Sequence, residues 1–224
     1  MKTTANNNDT PKRKDAWSVF KIMGELVNGY EQLDAVGPCV SIFGSARTKP
    51  DSPYYALGVE IAQSIAERGF GIITGGGPGI MEAGNKGAQL AQGISVGLNI
   101  DLPFEQNSNA YIDKEHNLNF EYFFVRKVMF VKFSKAFIVL PGGVGTLDEL
   151  FEAITLVQTY KIKKIPIILV KTDFWKGLID WLKNTLLAQG MINEENLNLI
   201  QLVDTKEQVL ELLGEYYNNE ENEG

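Results

Sequence analysis

A short apolar segment that passes through a glycine turn into an amphipathic helix does most to limit how this chain can fold. The segment 136–140 reads AFIVL and fits a fully buried strand. Residues 141–143 (PGG) break the strand, and residues 145–146 (GT) open a helix with apolar residues at helical spacing. A helix N-terminus behind a glycine turn attracts an anion, because its first N–H groups are free and the helix dipole is positive there. The segment therefore predicts a phosphate site.

Two further glycine-rich turns follow apolar strands. The turn 75–79 (GGGPG) leads into a helix with Glu82 near its start, and the turn 44–47 (GSAR) follows the first predicted strand. The need for short connections between strands and helices does not by itself explain three such turns. The sequence therefore predicts a nucleotide or another phosphorylated ligand. Neither longer turn has the third glycine of the dinucleotide fingerprint, and Asn85 stands where a P-loop has lysine. A standard NAD dehydrogenase and a P-loop kinase are therefore disfavoured.

The composition indicates one domain with a substantial core. The chain has 224 residues, of which 44% are hydrophobic, and its formal net charge of −7 disfavours binding to nucleic acid or to an acidic membrane. No apolar run approaches the roughly 18 residues of a membrane span. The polar N-terminus also lacks the apolar core of a secretory signal. We therefore expect a cytoplasmic protein.

Cysteine and histidine each occur once in the sequence. Cys39 cannot form an internal disulfide, and its place at the start of an apolar strand predicts a core residue. The single histidine, His116, excludes a multi-histidine metal site and disfavours a Ser-His-Asp or Cys-His mechanism. Its polar neighbours predict an exposed loop residue. We therefore expect a site without a metal ion.

Apolar strands alternate with amphipathic helices along most of the chain. The predicted strands are 39–43, 70–74, 94–99, 136–140, 165–170 and 199–203, and the predicted helices are 53–68, 79–91, 126–133, 145–159, 174–188 and 205–217. This alternation is typical of an α/β fold with a doubly wound parallel sheet and helices on both faces. Because the carboxyl ends of parallel strands meet at one edge, the three glycine turns should form one site.

The two ends of the chain differ from this alternating region. Residues 1–12 are polar and rich in asparagine, which predicts a disordered tail. Residues 13–37 should contain an amphipathic helix that covers a sheet face or a partner subunit. The main domain is expected at 38–217, followed by an acidic tail at 218–224.

Two charged side chains are the candidate catalytic residues. Glu149 follows Thr146 by three residues, so both side chains can lie on one side of a helical turn, close to whatever carries the phosphate. Simple stabilisation of the helix dipole is the alternative for Glu149, and Asp148 should point away from it, either to cap the helix or to face solvent. Arg126 follows an aromatic, strand-like run at 120–124 and can bind a phosphate or a purine through its planar guanidinium. A surface cation is the alternative for Arg126.

The motifs at 75–82, at Arg126 and Lys127, and at 141–149 together resemble those of the LONELY GUY (LOG) family. The resemblance implies a Rossmann-like fold, a homodimer or higher homo-oligomer with shared sites, and no cofactor. It also implies hydrolysis of a nucleoside 5′-monophosphate, either AMP or the N6-modified AMP of cytokinin biosynthesis, to free base and ribose 5-phosphate. Arg126 and Glu149 fall on the family's catalytic residues. The residues expected to bind the substrate are Gly44, Ser45, Gly76, Gly77, Met81, Glu82, Lys127, Gly142, Gly143, Gly145 and Thr146.

Three alternatives stay open from the sequence. The same fold can bind a nucleotide or the molybdenum cofactor without cleaving a glycosidic bond. AMP and a modified AMP are not distinguished, because the base pocket has no motif of its own, although Val125 stands where many plant members of the family have serine. Arg126 can contact either the phosphate or the leaving base.

Overall fold

The computed structural model describes residues 12–102 and 108–223, which form a sheet of seven strands with every neighbouring pair parallel. The strands are β1 Cys39–Phe43, β2 Gly71–Thr74, β3 Ser95–Ile100, β4 Asn117–Phe120, β5 Ser134–Val139, β6 Ile167–Val170 and β7 Ile200–Val203. Their order across the sheet is β4-β3-β2-β1-β5-β6-β7. The chain therefore builds outward from β1 to one edge and then reverses direction between β1 and β5.

The helices are α1 Lys12–Asp34, α2 Pro53–Ala66, α3 Ile80–Leu90, α4 Phe123–Phe133, α5 Val144–Gln158, α6 Thr172–Trp181, α7 Glu194–Leu197 and α8 Lys206–Glu223. A 3-10 turn precedes β4, and a π-helical segment Leu182–Leu187 continues α6. All the predicted helices are present, and the short helix α7 between the π-helical segment and β7 was not predicted. The last helix reaches Glu223 rather than ending at 217. Of the predicted tail, residues 1–11 lie outside the described residues, and Lys12 begins α1.

Both faces of the sheet are covered by apolar side chains, which confirms the predicted doubly wound arrangement. Along β1, side chains alternate between the faces: Val40 and Ile42 belong to one buried cluster, while Cys39 and Phe43 belong to the other. All five residues of this strand are buried. Continuous burial explains why the central strands read as unbroken apolar runs in the sequence.

The segment between β3 and β5 corrects the sequence-based prediction. The edge strand β4 was not predicted, because only Leu118 and Phe120 are buried and the asparagines that alternate with them are exposed. Only Phe120 of the aromatic run at 120–124 belongs to a strand, since α4 begins at Phe123. Burial at helical spacing, with Val125 and Met129 inside, decides the conformation of this segment.

The sequence-based prediction that His116 lies in an exposed loop is wrong. His116 ends the 3-10 turn, and its imidazole is partly buried, with Nδ1 at 3.5 Å from Oδ2 of Asp113. The same carboxylate oxygen accepts the backbone N–H of Ser95 at 2.8 Å. Asp113 therefore ties this turn to the start of β3.

Helix α1 packs against α4 through one of its two apolar faces. Leu33 is buried on the inner face, whereas Phe20, Met23 and Val27 remain more than half exposed on the outer face. The structure contains the helix at this position, whereas its covering of a sheet face or a partner subunit stays a prediction. Within the described residues, none of the helices combines the length and the apolar character that a membrane crossing requires.

Candidate active site

The three glycine turns meet at one edge of the sheet, as the sequence predicts. The backbone N–H of Ser45 donates to the carbonyl of Pro141 at 3.0 Å, and the carbonyl of Ser45 accepts the N–H of Ile80 at 3.0 Å. Gly79 has a φ of 70°, and a side chain there would overlap the Ser45 carbonyl. Ser45 therefore joins the turn after β1 to the turn after β5 and to the turn after β2.

These turns border a cleft of about 1110 Å³. The cleft lies where the strand order reverses between β1 and β5, which is the usual ligand position in an open α/β sheet. The predicted site residues that line it are Gly44, Ser45, Met81, Arg126, Gly142, Gly143, Gly145, Thr146 and Glu149. The other four predicted site residues are not among the described residues that line the cleft: Gly76, Gly77, Glu82 and Lys127.

The turn after β5 presents backbone groups to the cleft. Helix α5 begins at Val144 behind its N-cap Gly143, which has no side chain to cap the helix. Asp148 and Glu149 fall in the second helical turn, so the first turn carries no acidic residue. The free N–H groups and the positive dipole end of α5 thus lie at the cleft, with no acidic side chain in that first turn. This is the part of the cleft best suited to a phosphate.

Arg126 on α4 and Glu149 on α5 come together inside the cleft. Nη2 of Arg126 lies 3.3 Å from Oε1 of Glu149, and the two side chains are only 11% and 10% exposed. The guanidinium carbon is 5.2 Å from the ring centroid of Phe123 and 5.7 Å from that of Phe130. These contacts fix the plane of the guanidinium group.

The guanidinium group also has unused hydrogen-bonding capacity. Nε of Arg126 is buried and has no hydrogen-bond partner among the described residues. Because buried N–H donors in folded proteins are nearly always paired, this one marks a position for an acceptor atom of a ligand.

Burial changes the pKa values of both members of this pair. It raises the pKa of the Glu149 carboxyl above its ordinary range, and the charge of Arg126 offsets only part of this rise. It lowers the pKa of the Arg126 guanidinium, against the opposing effects of Glu149 and Asp148. Arginine still keeps its charge at neutral pH. The pair thus combines a permanent cation with a carboxylate suited to proton transfer and to stabilising positive charge.

Side-chain amides hold the turn after β2 in place from the side away from the cleft. Nδ2 of Asn109 lies 3.1 Å from the carbonyls of both Gly76 and Gly77, and 2.9 Å from Oδ1 of Asn85. Gly76 adopts a φ of 74°, where a side chain would be strained. These two glycines are buried, so the structure places them in the support of the turn, while Gly75 lines the cleft.

Glu82 is engaged outside the cleft. Its carboxylate accepts the hydroxyl of Tyr55 at 2.7 Å. Burial and then Glu82 itself raise the pKa of Tyr55, so this hydroxyl stays protonated and donates. Glu82 therefore joins α3 to α2 in the structure.

Lys127 is likewise engaged away from the cleft. Its Nζ lies 2.7 Å from Oδ1 of Asp148 and 3.0 Å from Oε2 of Glu152, both on α5. Burial alone would lower the pKa of Lys127, but its hydrogen bonds to these carboxylates raise it. The predicted solvent-facing position of Asp148 is met in part, since its side chain is 51% exposed. Lys127 joins α4 to α5 behind the Arg126–Glu149 pair.

Sequence reasoning missed part of the cleft wall. Arg47 and Lys49, in the loop between β1 and α2, add cations, and Phe174 of α6 adds an aromatic ring. The glycine turn beside Arg47 was a signal that could have identified it, whereas nothing near Phe174 marks it in the sequence. Within residues 12–102 and 108–223, no three His, Cys, Asp or Glu side chains cluster closely enough to hold a metal ion.

Comparisons with known proteins identify the family of the chain. Residues 81–213 match the family model described as "Possible lysine decarboxylase". A relative named cytokinin riboside 5′-monophosphate phosphoribohydrolase, from Mycobacterium tuberculosis, is 32% identical over 183 residues, which cover 80% of this chain and 95% of the relative. The rice protein named cytokinin riboside 5′-monophosphate phosphoribohydrolase LOG is 29% identical over 179 residues, covering 77% and 71% of the two chains.

A solved structure shares the fold at lower sequence identity. The molybdenum cofactor binding protein from Rippkaea orientalis superposes with a TM-score of 0.57 at 22% identity. The match covers 80% of this chain and 97% of that protein. At this identity, the likeness shows a common architecture.

Proposed function

The chain belongs to the LOG family, and from that premise we propose that it is a phosphoribohydrolase that cleaves the N-glycosidic bond of AMP or an N6-modified AMP. The products are the free base and ribose 5-phosphate. The observation that carries the proposal is the buried Arg126–Glu149 pair, held beside a helix N-terminus suited to a phosphate.

The geometry supports a specific placement of the substrate. The 5′-phosphate binds at the N-terminus of α5, where the backbone of 142–146 borders the cleft. Glu149 lies in the next turn of the same helix, so its carboxylate can reach the ribose attached to that phosphate. The apolar part of the wall, which includes Phe123 and Phe174, then receives the base.

Glu149 acts on the ribose in this proposal. The bond between C1′ and the base nitrogen breaks, its electron pair leaves with the base, and the ribose becomes an oxocarbenium-like cation. The Glu149 carboxylate stabilises this positive charge and takes a proton from the water whose oxygen bonds to C1′. A proton passed to the departing base nitrogen completes the balance.

Arg126 contributes a fixed positive charge and an unpaired N–H donor. Both can serve the phosphate or the departing base. Loss of affinity for ribose 5-phosphate in an Arg126 variant would assign it to the phosphate. A fall in kcat with unchanged affinity would assign it to the base.

The deciding experiment measures base release. Purified protein is incubated with AMP, other nucleoside monophosphates and isopentenyladenosine monophosphate, and the products are separated by chromatography. Glu149→Gln should lose most turnover while its affinity for AMP stays near that of the wild type. Glu60→Gln is the control, because Glu60 is an exposed glutamate on α2 that lines neither the cleft nor the neighbouring groove on α5. Full turnover in Glu149→Gln would refute its role.

The same assay separates the enzyme from a binding protein. Tight binding of nucleotide without any release of base would favour a non-catalytic nucleotide or cofactor carrier on this fold. Comparison of kcat/KM for AMP and isopentenyladenosine monophosphate identifies the preferred substrate.

A homo-oligomer is part of the proposal. Val144 is 84% exposed and lines both the cleft and a neighbouring groove on α5. A second copy seated in that groove would therefore reach the edge of the cleft. Light scattering coupled to size-exclusion chromatography should report a dimer or a larger assembly, and a monomer at assay concentration would contradict this part.

A further inference from the structure

Helix α1 makes a contact with α4 that the proposed chemistry does not use. One carboxylate oxygen of Glu25 accepts the backbone N–H of Glu121 at 2.7 Å, and the other accepts the N–H of Tyr122 at 3.4 Å. Tyr122 is the N-cap of α4, and its own side chain makes no capping hydrogen bond. The carboxylate of α1 thus accepts the N–H groups just before α4, as the glutamate of a capping box accepts the N-cap N–H, and places negative charge near the helix start.

Tyr122 connects this contact to the active site. Its N–H is held by Glu25, and its carbonyl accepts the backbone N–H of Arg126 at 3.2 Å. Arg126 therefore lies one hydrogen-bonded helical turn away from the point that Glu25 fixes. A displacement of Tyr122 would move the first turn of α4, and with it the base of the Arg126 side chain.

Helix α1 is docked closely enough to hold this position. A side chain at Gly29 would come within 2.7 Å of Sδ of Met129 on α4, so the two helices are in direct contact there. Lys21 adds an ion pair, with its Nζ 3.2 Å from Oε2 of Glu121. Because that ion pair is exposed, its contribution to stability should be small. The hydrogen bonds to Glu25 therefore provide the main connection between α1 and the start of α4.

We infer that Glu25 is a positioning residue: it fixes the start of α4 and thereby sets where Arg126 lies in the cleft. Glu25 is not among the described residues that line the cleft, so it acts through Arg126 rather than on the substrate. The kinetic consequence of this inference rests on the proposed function, whereas the structural consequence does not.

The test compares two carboxylate deletions on the same helix. Glu25→Ala removes the acceptor, and Glu31→Ala removes an exposed carboxylate further along α1. Glu25→Ala should lower kcat/KM for AMP about 10-fold, because small displacements of a catalytic group are costly. Amide hydrogen exchange across 121–126 should become about 10-fold faster at the same time. Glu31→Ala should change neither quantity, and Glu25→Gln, which keeps one acceptor oxygen, should restore part of both.

A double-mutant cycle separates positioning from general stability. If Glu25 acts through Arg126, Glu25→Ala should cause no further loss of kcat/KM when Arg126 is already methionine. A full loss in that background would overturn the inference, as would a lower melting temperature with unchanged kcat/KM and unchanged exchange at 121–126. If the wild type releases no base, the proposed function fails, and the exchange of segment 121–126 alone decides the inference.

Discussion

The hydroxyl of Thr146 occupies the space in which a β-carbon at Gly142 would have to lie. Thr146 is itself only 7% exposed, so it cannot move aside into solvent. The adjacent Gly143 has open space where its β-carbon would be. Two neighbouring glycines therefore meet different requirements, since Gly142 permits packing within the turn and Gly143 leaves room for a ligand.

This difference predicts opposite outcomes for two alanine substitutions. Gly142→Ala should lower the free energy of unfolding by about 1–3 kcal/mol, because the new methyl group collides with a buried side chain. Gly143→Ala should leave stability unchanged but raise the KM for AMP, because the methyl group projects into the proposed phosphate site. Denaturant unfolding and steady-state kinetics on both variants check this, and equal behaviour of the two would contradict it.

Arg126 and Lys127 are adjacent cations whose removal should have unequal effects. Arg126→Met should reduce kcat/KM about 100-fold, in the range found when a charge-stabilising donor is removed. Lys127→Met should reduce it only a few-fold, because the ammonium group pairs with Asp148 and Glu152 outside the cleft lining. Base-release kinetics on both variants provide the comparison. A larger loss for Lys127→Met would place that ammonium group on the substrate.

The raised pKa of Glu149 predicts an acidic limb in the pH profile of kcat/KM. At low pH the carboxyl is protonated and neutral, so it cannot stabilise a positive ribose, and activity should rise with pH as the proton is lost. Because burial raises this pKa, the midpoint should lie above about 4.3, the ordinary value for glutamate. Glu149→Gln should lose this limb, and Glu60→Gln, at an exposed glutamate outside the cleft, should keep it. A wild-type profile that is flat through this region would contradict the assignment.

Cys39 should be unreactive in the folded protein. Its side chain is 1% exposed, and burial raises the pKa of the thiol to about 12, so the reactive thiolate is scarce at pH 8. Iodoacetamide should label the native chain slowly and the unfolded chain at the rate of a free thiol. Because the sequence has one cysteine, mass spectrometry gives a single labelled species whose rate reports unfolding. Rapid labelling without denaturant would be the contrary result.

The central strands, which are buried almost without interruption, were predictable from the sequence, whereas the edge strand β4 was not. The central strands have both faces covered, so their apolar runs stand out, and their parallel order follows from the intervening helices. β4 has only two buried residues and lies at an edge, which leaves a signal too weak to separate from a loop. The aromatic run at 120–124 was predicted to be strand-like because aromatic residues are common in strands. The structure has a helix from Phe123 onward, since Val125 and Met129 are buried at helical spacing.

The site was predictable where chemistry depends on local sequence. Glycine turns, a helix N-terminus and the charged residues Arg126 and Glu149 leave local signatures. Phe174 and Asn109 come from distant segments, and their roles arise only when the fold brings them to the cleft or to the Gly76 carbonyl. Gly76, Gly77, Glu82 and Lys127 make hydrogen bonds and ion pairs with elements that border the cleft, and their contact with substrate stays a prediction. A sequence motif alone does not distinguish residues that line the cleft from residues that hold the neighbouring elements in place.

Ser45 bonds through its backbone to the turns that follow two other strands, so the three loops cannot change length independently. An insertion of a single residue in any one of them would move its neighbours out of register. Natural drift and laboratory libraries alike should therefore tolerate point substitutions at the mouth of the cleft, at positions such as Lys49 and Phe174, far better than insertions or deletions within the turns. A new substrate preference is best sought at those positions, with the lengths of all three loops left unchanged.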